Sequence, residues 1–252
     1  MNPNPTARVL STFLKYKVKS LLIGGQACIL YGAAEFSRDV DLAVLVSPGN
    51  IAKIKKALEE LDAENVYVPD LSSEALMRGH ACHFRFPKSD PKGFRIDIIA
   101  KMRGVATFPS LWRNRKDVQI PGVGKIAVMG LEDLVRSKKT QRDKDWPMIR
   151  RLVESDIYNA ALDPSEDKIR FWLAECRTPG LLLSLVAKSP QTAQSMFKHR
   201  PLLQVALLGK EEEIQKELHE EEDLERERDR NYWAPLRKDL ENWRRGRVQI
   251  DR

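Results

Sequence analysis

Apolar and polar residues alternate with several different periods along the first half of the chain. Residues 20–25, SLLIGG, read as a short apolar strand that stops on two glycines, and QACILYGA after them reads as a short helix. RDVDLAVLV, 38–46, alternates with the period of two that marks a strand. PGNIAKIKKALEELDA then places its apolar residues three and four apart behind an early proline, which predicts an amphipathic helix. GHACHFRFP (79–87) and GFRIDIIAK (93–101) are two further strands, joined by KSDPK, a polar proline-containing link that suits a hairpin-like turn. DVQIPGVGKIAVMG (117–130) adds two short strands about a Pro-Gly turn.

From LEDLVRSKK onward the pattern is helix after helix, so the sequence predicts an α/β (α+β) core over 1–130 and an all-helical C-terminal region over 131–252. Helix starts are written at Asp163-Pro164 with Glu166, a capping box, and again at Thr178-Pro179 and Ser189-Pro190. A highly charged helix near 210–231 carries only Ile214, Leu218 and Leu224 as apolar residues, too few for a broad core face. It is expected to be exposed or to serve as an interdomain arm. Tyr232, Trp233 and Trp243 follow it as packing anchors.

Charge sharpens this picture. The net charge is +7, yet residues 211–230 hold eleven acids and four bases, leaving +14 over the remainder. Such a remainder attracts polyanions, RNA or nucleotides among them. No apolar run reaches the roughly 18 residues of a membrane span, and MNPNPTARVL lacks the layout of a secretion signal. No membrane partner and a cytoplasmic location are expected. Cys28, Cys82 and Cys176 are an odd number at no metal-binding spacing and read as reduced thiols.

The candidate chemistry lies in the strands. Asp39 and Asp41 share one face of a strand whose other residues call for burial, and Asp97 stands between Ile96 and Ile98 in another. Buried carboxylates need a cation, and a pair of Mg²⁺ ions (or Mn²⁺) about 4 Å apart, held by all three, satisfies that need. Gly24 and Gly25, between strand and helix, form a place where backbone N–H groups can meet phosphate oxygens. Arg38 is read either as a salt-bridge partner of the acids or as a phosphate contact. His80, Cys82 and His83 lack a fourth ligand and a common face, so zinc is not expected.

The order IGG, thirteen residues, DVDL, and later IDI resembles the signature of the DNA polymerase β nucleotidyltransferase superfamily over roughly residues 18–153. GLEDLVRSKKTQRDKDWPMIRRLVE is similar to the segment after the core in the abortive-infection (AbiEii-like) and minimal nucleotidyltransferase groups. The resemblance implies a polymerase-β-type core with a small mixed sheet, and transfer of a nucleoside monophosphate from a triphosphate to an acceptor hydroxyl. It implies that Asp39, Asp41 and Asp97 are catalytic metal ligands. Gly24, Gly25 and Lys138 would face the nucleotide, with Lys139 and Arg142 as neighbours able to replace Lys138. An RNA acceptor, such as a tRNA end, is expected first and a protein hydroxyl second, in a toxin–antitoxin or phage-defence setting. The alternative is a non-catalytic, antitoxin-like partner-binding module on the same fold.

Overall fold

The computed structural model describes residues 4–34, 36–86, 93–160 and 162–250, and these form two compact units. The first comprises residues up to 30, 34–137 and those from 232 onward; the second comprises 31–33 and 138–231.

The first unit opens with helix α1 (Pro5–Lys15), which Asn4 caps by accepting the Thr6 N–H at 3.0 Å. Strand β1 (Ser20–Ile23) follows, then the short helix α2 (Gly24–Leu30), strand β2 (Asp39–Val44) and helix α3 (Pro48–Glu60). Ser47 caps α3, and Pro48 stands in its first turn as the sequence pattern predicts. Behind that cap the buried amide of Asn50 accepts from Lys19 N–H and donates to the carbonyls of Lys19 and Leu45, which locks the entry of β1 to the exit of β2. The unit continues through β3 (Glu64–Asn65), α4 (Ser73–Arg78), β4 (Cys82–Arg85), β5 (Arg95–Ile99), α5 (Phe108–Arg113), β6 (Lys116–Ile120), β7 (Gly124–Val128) and α6 (Leu131–Ser137). The KSDPK turn lies outside the described residues.

The strands join in one mixed seven-stranded sheet in the order β3-β4-β5-β2-β1-β7-β6. β2 pairs parallel with β5 and β1 parallel with β7; the other pairings are antiparallel. Val40, Leu42, Ile96, Ile98 and Cys82 are at most 1% exposed. Each such isoleucine contributes about 1.5–3 kcal/mol by leaving water.

The second unit is helical: α7 (Asp145–Tyr158), α8 (Glu166–Glu175), α9 (Pro179–Lys188), α10 (Pro190–Ser195), α11 (Leu202–Leu207) and the start of α12 (Glu211–Ile250). Two expectations shift here. α8 begins at Glu166 and is capped by Ser165, whose hydroxyl accepts the Lys168 N–H, instead of by Asp163 with Pro164 as first helical residue. A serine in extended conformation directly before the helix reaches the orphan amide that Asp163, two residues further back, does not.

The charged helix is also less exposed than its composition suggests, because Ile214 and Leu218 are buried while Leu224 stays in solvent. Its Glu221 receives a two-pronged contact from the buried guanidinium of Arg200, at 3.0 and 2.9 Å, and Arg200 donates onward to the Leu173 carbonyl. Charge pairing thus ties a polar helix to its unit where apolar residues are few. Beyond Asn231 the same helix counts with the first unit, where the Trp243 ring lies 4.6 Å from that of His80.

Candidate active site

Parallel pairing of β2 with β5 sets Asp39 beside Arg95 and Asp41 beside Asp97. Antiparallel pairing of β4 with β5 sets Arg85 beside Arg95 and His83 beside Asp97. Cross-strand neighbours share a face, so that face carries two rows: Asp39, Arg95 and Arg85 in one, Asp41, Asp97 and His83 in the other. Intervening residues of the same strands form the core described above.

Neighbouring carboxylates repel by about 4 kcal/mol at 4 Å in a partly solvated site. Arg95 answers this repulsion at Asp39 and Asp97. Its Nη2 donates to Asp39 Oδ2 at 2.7 Å, and its Nε lies 3.0 Å from Asp97 Oδ1. The second contact is a charge contact outside hydrogen-bond geometry, and Nε is buried with no hydrogen-bond acceptor. Burial works against the charged guanidinium, but Asp97, Asp39 and Asp41 outweigh it and hold Arg95 above its ordinary pKa. His83 completes the cluster, its Nδ1 at 2.8 Å from the same Asp97 Oδ1. A carboxylate oxygen accepts, so the proton sits on Nδ1.

The glycines meet the acids directly. Gly24 has φ +65°, and a Cβ on it would stand 1.8 Å from Asp41 Oδ2; one on Gly25 would stand 2.5 Å from Ser37 Oγ. Only glycine lets the turn close on the carboxylate. Gln26 supports this approach, its amide donating to the Ser37 carbonyl at 3.2 Å and to Thr6 Oγ1 at 3.1 Å.

Arg38 stands with its guanidinium 5.9 Å from the Phe36 ring centre. Lys138, Lys139 and Arg142 belong to the second unit, and each is engaged there: Lys138 with Asp145 at 3.2 Å, Lys139 with Glu175 at 2.7 Å, Arg142 with Asp145 at 2.7 Å. Burial would raise the Asp145 carboxyl, but Lys138, Arg142 and the Thr140 hydroxyl overcome it and hold the group below its ordinary range.

Among the described residues, no group of three or more His, Cys, Asp or Glu side chains is set to hold a metal ion. The donors themselves suit Mg²⁺, which takes hard oxygen ligands, while Arg95 ties up two of the three carboxylates. A cavity of about 240 Å³ lies against Leu10, Phe13, Leu22, Leu42 and Trp112, on the opposite side of the sheet from the acids, none of which lines it. Among the described residues, no helix is long and apolar enough to cross a membrane.

No protein-family model matches the chain, nor does any curated protein. Its fold is similar to that of an H. pylori protein described as a nucleotidyltransferase, at 14% identity and a TM-score of 0.41, covering 90% of this chain and 93% of that one. It is also similar to JHP933 from Helicobacter pylori, at 15% identity and a TM-score of 0.38, covering 93% of this chain and 98% of that one.

Arg95 is a site residue that sequence reasoning missed, and His83, weighed there only as a zinc ligand, stands at Asp97 instead. The signal for Arg95 was present: it stands two residues before Asp97 in the strand FRIDII, and the alternation that faces Asp97 to the site faces Arg95 there too. His83 lies two residues before Arg85 by the same rule.

Proposed function

We propose that the chain is a divalent-cation-dependent nucleotidyltransferase acting at the β2–β5 carboxylates. What supports the reading above all is the register that sets Asp41 beside Asp97, and Asp39 on the same face, with Gly24 closed against Asp41. An acceptor hydroxyl attacks the α-phosphorus of a nucleoside triphosphate. A new oxygen–phosphorus bond forms, the bond to the bridging oxygen of pyrophosphate breaks, and Asp97 helps take the hydroxyl proton. Asp39, Asp41 and Asp97 would hold two Mg²⁺ or Mn²⁺ ions, which when bound neutralise the triphosphate and ease ionisation of the acceptor hydroxyl. His83, whose Nδ1 lies on Asp97 Oδ1, fixes that carboxylate for its task. Gly24 and Gly25 keep the turn free of side chains where the triphosphate approaches. The scheme does not draw on Lys138, which Asp145 engages.

The charge of +14 outside residues 211–230 favours RNA, such as a tRNA end, as the acceptor, in a toxin–antitoxin or phage-defence setting. The test is to incubate the chain with each of the four labelled triphosphates, Mg²⁺, total RNA and protein extract. Label on RNA that disappears in Asp39→Asn fits the reading; label on protein moves the acceptor to a protein hydroxyl; no label on either sinks the enzymatic reading.

One observation favours a second reading. Arg95 occupies Asp39 and, with His83, Asp97, as a fold that had no use for metal would have it. On that reading the chain is an antitoxin-like binding module, and calorimetry would find no binding of Mg²⁺ with any triphosphate.

A further inference from the structure

We propose that Arg95 is a resident stand-in for the divalent cation, holding the acids together before metal binds and exchanging its carboxylate partners for phosphate oxygens when a metal-bound triphosphate arrives. The inference rests on the nucleotidyltransferase reading of the same site and adds to it an order of loading.

Its grounds are geometric. Arg95 spans two strands, with Nη2 on Asp39 and Nε beside Asp97, and both acids belong to the trio that would hold metal. A guanidinium and a divalent cation cannot share those oxygens without strong repulsion, so one displaces the other. Arg95 is held there mainly by charge, with one hydrogen bond to Asp39. Its Nε is buried without a hydrogen-bond acceptor, and the side chain is 35% exposed, which leaves it a path outward.

A guanidinium pulled from carboxylates needs another anion, and phosphate oxygens match its fork geometry. Free metal supplies no such anion, whereas a metal-bound triphosphate does. Entry of metal and nucleotide is therefore coupled: the free ion binds weakly and the complex binds well. Arg85, beside Arg95 in the sheet, adds positive charge to the same face.

The test is binding, read apart from catalysis. Mn²⁺ is titrated alone by electron paramagnetic resonance, and Mn²⁺ with a non-hydrolysable triphosphate by calorimetry, for wild type, Arg95→Met and Arg95→Lys. Arg95→Met is expected to bind free Mn²⁺ about tenfold more tightly and the metal–triphosphate complex about tenfold more weakly, effects of opposite sign. Arg95→Lys, with a single ammonium unable to span both acids, is expected to fall between. Thermal melting without metal confirms folding, and Arg95→Lys carries the test if Arg95→Met does not fold.

Free-metal affinity unchanged in both variants, with wild type binding Mn²⁺, overturns the stand-in and leaves the metal reading intact. Tighter metal with unchanged triphosphate affinity overturns the exchange onto phosphate. No Mn²⁺ binding by any of the three proteins, alone or with triphosphate, overturns the nucleotidyltransferase reading and this inference together.

Discussion

Replacing Gly24 by alanine asks the β1–α2 turn to take a side chain where Asp41 already stands. The φ of +65° places the residue in the left-handed region, which costs an alanine about 1–2 kcal/mol relative to glycine. The new Cβ would begin 1.8 Å from Asp41 Oδ2 and 2.8 Å from Asp41 Cβ, so the carboxylate must leave its rotamer, at about 0.5–1.5 kcal/mol more, and the backbone must also give way, since no rotation moves Asp41 Cβ. Gly24→Ala should therefore lose at least about 2 kcal/mol in urea unfolding, and nucleotide transfer should fall with the misplaced carboxylate. Gly49→Ala is the control. It lies in the first turn of α3 with nothing within 4 Å of its would-be Cβ, and should gain up to about 1 kcal/mol. If Gly24→Ala kept both wild-type stability and wild-type transfer, the close approach of turn to carboxylate would have no consequence, and the reasoning from it would be wrong.

Other predictions concern the second unit. Lys138→Met removes one of the cations on buried Asp145 and should destabilise the protein by about 1–3 kcal/mol in thermal melting, with triphosphate affinity unchanged. A wild-type melting point with lost affinity would instead restore Lys138 to the phosphates. Because the Asp145 carboxyl is held below its ordinary 3.8, its stabilisation is present above that value and fades as pH falls through the lower, folded-state value. The melting temperatures of wild type and Asp145→Asn should accordingly converge as pH is lowered below about 4. A gap that stays constant from pH 6 to pH 2 would contradict this assignment.

Much of the candidate site was legible in the chain because alternation is a local rule. Asp39 and Asp41 advertise a strand with one polar face, and Asp97 does so between two isoleucines. What the chain does not display is register. That Asp41 sits beside Asp97, and Asp39 beside Arg95, follows from parallel pairing of segments more than fifty residues apart. Arg95 was overlooked for a related reason, since its partner Asp39 is remote in sequence although its facing was readable.

Similar limits govern the fold. Pro48 announced α3 correctly, whereas at α8 Asp163-Pro164 outshone the plainer Ser165, which makes the cap. Composition understated the burial of Ile214 and Leu218, because the contacts that hold this stretch of α12 in its unit come partly from Arg200 on Glu221. A hydrophobic count cannot register an ion pair between distant segments.

The most direct measurement uses one triphosphate labelled in turn at its α- and γ-phosphorus, offered with Mg²⁺ and the acceptor to wild type and Asp41→Asn. The account predicts that α-label becomes attached to the acceptor while γ-label leaves in pyrophosphate, and that Asp41→Asn does neither. Attachment of the γ-label, or transfer by Asp41→Asn at the wild-type rate, would contradict it.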